Sequence, residues 1–342
     1  MTDAAAQCTR TNFNLCPIAT TPGNPYLSGQ ATLIDLGSRY MQRLGALSSF
    51  RMAPGMEIRA QAGGAETVAE RYRVWMEGYG LRSRFDARAD FSGDSRKTYG
   101  GLAGASVNFA PGLTAGLSID QSRTDVDITG FAQSGRIDLT QFGAMIAYEN
   151  GPWNFGINVI RGFGDLHSSR IEFGGQSTTA YQAKLWAAMA ELSYFWSLPD
   201  NWRFAPRLSF DWTRTRTDAF AETGGFAPVA GGTGGARRVR MLIGGEVGHS
   251  WFVSRTIMDF SIYGRLVNNL SQSFETIKIT DSVGTNPALF VSGLHESKLG
   301  ADAGATLSAK ISDVMRLYAV YDGRYRSNFT SHSGTAGVEF RF

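Results

Sequence analysis

Few of the side chains able to do chemistry in this chain have the company that a reaction needs. His167 stands beside Ser168 and Ser169, and a histidine next to a serine is the pairing that activates a hydroxyl as a nucleophile. No acid completes a set with them, so the pair reads as part of a polar loop. His295-Glu296 lacks the second histidine of the H-E-x-x-H zinc motif, and it lies in a strand-like stretch where that motif needs a helix. His249 falls on an apolar parity near a strand end and reads as an interface anchor. The glycine clusters Gly100–Gly104 and Gly231–Gly235 open no helix and carry no G-K-[ST], so they do not form a phosphate loop. Arg237, Arg238 and Arg240 form a basic cluster at the top of a strand. It reads either as the solvated mouth of a lumen or as a contact for lipopolysaccharide phosphates or a threaded segment. Cys8 and Cys16 are close enough to form a disulfide in an oxidising compartment, or are two free thiols in a polar tail. No catalytic residue, metal ligand or cofactor is expected.

A larger charged set is of another kind. Glu77, Arg203, Arg207, Arg240, Glu246, Arg265, Arg316, Glu339 and Arg341 mix both signs, with arginine in excess. Each sits in a stretch where apolar and polar residues alternate, on the polar parity. What they can do depends on the elements that hold them.

Composition limits those elements. Of 342 residues, 43% are hydrophobic and 18% charged, with 41 Gly, 22 Phe, 12 Tyr, 7 Trp and only 10 Pro. So many aromatics exclude a disordered chain. No apolar run approaches the ~18 residues of a membrane helix. A formal charge of +3 argues against a nucleic-acid binder. A folded, glycine- and aromatic-rich, all-β chain remains.

Along the chain, residues 1–29 read as an irregular segment marked by Pro17, Pro22 and Pro25. From Gln30 to Ser49, Leu33, Ile34, Leu36, Tyr40, Met41, Leu44 and Leu47 recur at helical spacing. The stretch 30–70 is then helix and linker, with a short helical turn at Glu66–Glu70. From residue 71 to 342 period two takes over and recurs about twelve times. Leu299, Ala301, Ala303, Ala305 and Leu307 oppose Lys298, Asp302 and Ser308, and Ala336, Val338, Phe340 and Phe342 oppose Glu339 and Arg341. The run 182–196 is the least clean, because Leu185 and Met189 share a parity with Glu191.

The connections alternate long and short, except that the final link, about Arg326–Phe329, is also brief. Ala110–Gly112, Glu149–Pro152, Ser197–Asn201, Val253–Arg255 and Ile311–Asp313 are brief. About 86–97, 123–136, 163–177, 217–236 and 269–292 are long. A soluble sandwich has no reason to sort its loops, whereas a membrane barrel puts short turns on one side and long loops on the other. The runs are long enough to span a bilayer at a tilt, and Trp153, Trp196, Trp202, Trp212, Trp251 and Phe342 mark interfacial girdles. Packed into a dry sandwich core, the charged parity would cost several kcal/mol per unpaired ion. In a water-filled lumen that cost largely disappears. The expected fold is therefore a 12-stranded antiparallel transmembrane β-barrel, closed because unpaired edge amides are costly in lipid.

With these features the chain resembles the translocator β-domain of autotransporters, the type V secretion proteins of Gram-negative outer membranes. The resemblance covers roughly Gln30–Phe342. It rests on a helix and linker leading into Trp75-Met-Glu-Gly-Tyr-Gly80, on Trp202-Arg-Phe-Ala-Pro206, and on the terminal Gly337-Val-Glu-Phe-Arg-Phe342. It implies an α-helix threaded through the lumen and an N-terminal passenger outside. It also implies an integral outer-membrane location with a periplasmic C-terminus, and assembly by the barrel assembly machinery through Phe340 and Phe342. Lipid and lipopolysaccharide are the surroundings, and a monomer is expected. The family's self-cleaving members cut a helix asparagine pair with lumen acids, and no asparagine lies between Gln30 and Ser49, so an uncleaved display form is expected. Because the first residues lack an export signal, the sequence is expected to begin downstream of the true start.

The nine charged residues are then expected to line a hydrated channel and contact the helix, with Asp35 and helix-end carbonyls taking part of the positive charge. Leu33, Leu36 and Leu44 would pack on Trp75, Tyr263 and Tyr318, or the helix would lie partly outside. The expected function is export or display of an N-terminal segment without catalytic turnover. The alternative is a free-standing 12-stranded porin-like channel for small solutes.

Overall fold

In a computed structural model of the chain, residues 24–48, 71–87, 91–172, 175–225, 228–281, 288–291 and 294–342 are described. Strand formation follows from the alternation, which β6 keeps along its whole length. Twelve long strands build the wall: β1 (Tyr72–Phe85), β2 (Asp94–Ala110), β3 (Leu113–Ile128), β4 (Gln133–Asn150), β5 (Trp153–Glu172), β6 (Gly175–Tyr194), β7 (Trp202–Thr217), β8 (Gly234–Val253), β9 (Thr256–Phe274), β10 (Leu299–Lys310), β11 (Met315–Arg326) and β12 (Phe329–Arg341). Each pairs antiparallel with its sequence neighbours, and β12 returns to β1 from Arg73 opposite Arg341 to Phe85 opposite Phe329. The ring is closed, as the alternation and the cost of open edges in lipid predict.

Turns at 111–112, 151–152, 195–201, 254–255 and 311–314 share one end with Tyr72 and Phe342. At the opposite, loop end the expectation needs correcting. The last link, 327–328, is brief, as the sequence suggests. Connection 129–132, however, is tight, only two residues separate β5 from β6, and most of 123–136 and 163–177 is strand. The reason is chemical. Past the apolar belt the outer face turns polar, at Arg123 and Asp127 on β3 and at Asp165 and His167 on β5. The contrast that reveals a lipid-facing strand disappears there, although the ladder continues. A strand of 20 residues such as β5 is about twice the length that spans a bilayer.

At the turn end a row of rings runs across β5 to β8. Trp153 packs on Tyr194 at 4.8 Å, Trp202 on His249 at 4.7 Å and His249 on Trp251 at 5.8 Å. His249 is thus an interface side chain.

Helix α1 (Asn24–Ser48) runs inside the barrel against β3 to β8. It starts six residues before the apolar period does. Pro25 opens the helix and is no mark of irregular chain, because a proline in the first turn lacks only an N–H that has no partner there. Near its start, Tyr26 stacks on Phe220 at 3.5 Å. There the short strands Phe220–Ala221, Val229–Gly231, Ile277–Asp281 and Leu289–Val291 form a small second sheet at the loop end. The expected helical turn at 66–70 and the pair Cys8 and Cys16 lie outside the described residues.

Candidate functional site: a helix-filled lumen

The helix presents two faces to two kinds of wall. Leu33, Leu36, Tyr40, Leu44 and Leu47 form one stripe at spacings of three and four. They cluster with Leu139 and Leu166 toward the loop end and with Trp75, Met145, Ile160 and Met189 toward the turn end. Tyr263 and Tyr318, expected in this contact, belong to the polar side instead. Beneath this stripe the inner face of β4 to β6 is apolar at Ile137, Leu139, Met145, Ile160, Leu166, Leu185 and Met189. The unclean run 182–196 is explained the same way, since Leu185 and Met189 are lumen residues beneath the helix and fully or nearly fully buried. Gly37 lies against Leu185 and Gly45 against Met189, so the helix backbone approaches the wall where it lacks side chains. Each buried leucine is worth roughly 1.5–3 kcal/mol over an exposed one, which resolves how an apolar helix stays in a charged barrel.

The opposite face carries Asp35, Ser38, Arg39, Gln42 and Arg43. Arg43 donates from Nε and Nη2 to the two oxygens of Glu77 at 2.7 and 2.6 Å, and the Tyr318 hydroxyl donates to the same carboxylate at 2.6 Å. Arg324 donates to Asp35 at 2.6 Å and to Gln42 at 3.0 Å. Arg238 donates to the Ser38 hydroxyl at 2.6 Å, to the Ile34 carbonyl at 3.4 Å, and pairs with Glu296. Arg39 stands 3.9 Å from Asp322, which also accepts from Tyr263 at 2.6 Å.

The remaining sequence-selected charges sit on the wall around this face. Glu246 accepts from Arg203 at 3.3 Å and from Arg207 at 2.7 Å. Arg203 also pairs with Asp259. Arg240 grips Asp211 with Nε at 3.0 Å and Nη2 at 2.5 Å. Glu339 accepts from Arg316 at 2.8 Å and from its strand neighbour Arg341. Arg265 stacks on Tyr263 at 4.7 Å and reaches Gln42 at 3.4 Å. Apart from Arg265 these groups are mutually paired, and all are buried or half-buried, so pairing, in addition to hydration, offsets the cost of enclosing them. Asp211, Asp259, Glu296 and Arg324 were missing from the selected set. Asp211, Asp259 and Arg324 share the polar parity, but parity reports the face a residue is on and says nothing of its partner.

The remaining candidates resolve simply. Ser168 is buried inward while His167 is exposed outward on the same strand, because neighbours on a strand point to opposite faces. They are strand residues, and the hydrolase pairing does not form. His295 and Glu296 lie outside any strand, where the His295 ring meets Phe274 at 4.9 Å. The arginine cluster is split by the wall, with Arg238 and Arg240 inside and Arg237 outside. No group of His, Cys, Asp and Glu among the described residues is arranged to hold a metal. At the seam, the Phe342 N–H donates to the Tyr72 carbonyl at 3.0 Å and the Phe342 carbonyl accepts from Tyr72 at 2.7 Å. The rings of Phe340 and Phe342 are exposed on the wall.

A closed twelve-strand wall with an outward apolar belt, a charged interior and one helix through it defines a membrane-inserted translocator barrel. The chain belongs to the autotransporter β-domain family, which residues 74–322 match. Among solved structures it is similar to the translocator domain of the autotransporter NalP from Neisseria meningitidis. That match has 14% identity, covers 93% of this chain and 99% of that one, and has a TM-score of 0.72. It is also similar to the β-domain of the Bordetella autotransporter BrkA, with 17% identity, coverage of 80% and 100%, and a TM-score of 0.56. The transport unit of AIDA-I from Escherichia coli gives 14% identity, coverage of 90% and 98%, and a TM-score of 0.54. At these identities the likeness shows the fold alone. No curated protein matches. The family makes this chain an integral outer-membrane translocator barrel.

Proposed function

We propose that the barrel carries an N-terminal segment to the cell surface and then displays it uncleaved, with the helix as stopper and anchor. In this reading the loop end faces outward, and the turn end faces the periplasm with the C-terminus. Phe340 and Phe342 are read by the barrel assembly machinery, and the protein has no turnover of its own. The observation that carries the reading is the direction of the helix. Its first turn lies at the loop end beside Phe220, and its last turns lie toward the turn end near Glu77. A segment preceding residue 24 therefore leaves on the outer side.

The uncleaved state follows from what the helix offers to the acids. Its polar face presents Asp35, Ser38, Arg39, Gln42 and Arg43 to the charged wall. Its one asparagine, Asn24, sits at the loop end and donates to Ser92 at 3.2 Å. A carboxylate deep in the lumen has no asparagine side chain to cyclise.

A reporter placed at residue 20 tests the proposal. The expected result is labelling by protease or antibody on intact cells. Protection until the outer membrane is opened would overturn it in favour of a small-solute channel.

A further inference from the structure

Outside the wall, near the loop-end edge of the apolar belt, four adjacent strands bring cations together. The register sets Arg161 of β5 opposite Trp186 of β6, Trp186 opposite Arg214 of β7, and Arg214 opposite Arg237 of β8. One row further out, Phe163, Lys184 and Arg216 stand side by side. Lys184, Arg214, Arg216 and Arg237 are exposed. The Arg161 guanidinium lies 4.8 Å from the Phe163 ring and 4.5 Å from the Trp186 ring, which holds it against the wall.

The rows on either side give the height of this patch. Toward the turn end the next outward row is Val159, Ala188, Trp212 and Val239, all apolar. Toward the loop end Asp165 accepts from Gln182 at 3.4 Å, so that row is polar. The cations lie where hydrocarbon gives way to headgroups, and there a charge on the outer wall costs little.

The patch is also unmatched. On β3 and β4 the outer cations have partners, Arg123 with Asp138 at 2.6 Å and Arg136 with Asp125 at 3.3 Å. Arg161, Lys184, Arg214, Arg216 and Arg237 form no ion pair among the described residues. The Glu275 carboxylate lies over Gly235, which is opposite Arg216, and offsets one charge at most. Four strands at about 4.8 Å spacing spread the cations over about 14 Å, wide enough for a headgroup with more than one phosphate. Guanidinium forks suit phosphate oxygens.

We propose that this patch is a binding site for a phosphorylated glycolipid of the outer leaflet, of the lipid A class, with the phosphates on Arg161, Lys184, Arg214, Arg216 and Arg237 and acyl chains along the apolar rows below. The site rests on the outward direction of the loop end proposed above, which the reporter at residue 20 reads separately.

The test uses the full chain folded in detergent micelles and titrated with bisphosphorylated lipid A, dephosphorylated lipid A and phosphatidylglycerol, with the bound lipid counted by native mass spectrometry. The expected result is binding of the bisphosphorylated form at least about tenfold tighter than either of the others, since several charge-assisted contacts are lost with the phosphates. The combined variant R161Q/K184Q/R214Q/R237Q is expected to lose that preference, and R123Q/R136Q to keep it. Heat-shifted gel mobility checks that both variants fold. Equal binding of the phosphorylated and dephosphorylated forms, equal binding by phosphatidylglycerol, or an equal loss in R123Q/R136Q would overturn the site. A barrel that keeps the lipid A preference while its reporter stays in the periplasm would overturn the orientation and with it the outer-leaflet assignment, leaving only the phosphate selectivity of the patch.

Discussion

Asp35 on the helix and Arg324 on β11 are 289 residues apart in sequence and meet at 2.6 Å inside the barrel. Both are nearly inaccessible to solvent, with 6% and 5% of their side chains exposed. A pair so enclosed fixes one height of the helix against the wall, and the two-point contact of Arg43 with Glu77 fixes a second. With two clasps on one face and leucine packing on the other, the helix has one axial position.

Removing one partner of such a pair strands the other. Asp35→Asn leaves the Arg324 guanidinium with Gln42 as its remaining helix partner, a change expected to cost about 3 kcal/mol. The loss falls on helix docking, since the wall ladder is untouched. Denaturant titration followed by a fluorophore near residue 24 should show the helix leaving earlier, while heat-shifted mobility of the barrel stays near that of the parent.

Gly143 on β4 tests the apolar side by crowding. A Cβ there would collide with Leu44 and would sit 2.8 Å from the Ser118 hydroxyl and 2.9 Å from the Tyr40 hydroxyl. Gly143→Val is therefore expected to push the helix off the wall and produce a leaking barrel that still folds. Gly334→Ala is the matched control, because a Cβ at Gly334 meets nothing within 4 Å. It should behave as the parent in liposome leakage.

Leu185→Ala probes the same contact by deletion. Leu185 is fully buried and packs on Gly37 of the helix. The cavity should cost about 3 kcal/mol, read as a lower midpoint of unfolding in detergent.

Phe342 separates folding from assembly. Its backbone closes the seam with Tyr72, whereas its ring is 59% exposed. Phe342→Ala keeps the hydrogen bonds, so refolding of the purified chain should change by less than about 0.5 kcal/mol. In cells the amount of inserted barrel should fall, as the proposed reading of this ring by the assembly machinery requires. Quantifying heat-shiftable protein in outer-membrane fractions checks it.

Much of the wall was legible in the sequence because a lipid-facing strand must separate oil from water residue by residue. Leu299 to Leu307 and Ala336 to Phe342 show this plainly. Legibility failed where the physics stops imposing contrast. Beyond the belt, Arg123, Asp125 and Asp127 put polar groups on the outer face, so long hairpins looked like loops. Inside, Leu185 and Met189 broke the polar parity because the helix turns that part of the lumen into a core. The misfit was visible, but its cause was on another element. The charged residues were found from parity, yet the pairing of Arg240 with Asp211 or of Asp35 with Arg324 depends on barrel closure and helix height, which no local pattern encodes. Pro25 is ambiguous in sequence because a proline marks a break inside a helix and a start at its first turn.

Single-channel conductance across a planar bilayer is the most direct measurement, comparing the full chain with one lacking residues 24–48. A helix gripping both walls predicts small, rare openings for the full chain and a steady, much larger conductance without it. Equal conductance from the two would mean that the helix does not occupy the lumen, and the proposed export and display route would lose its basis.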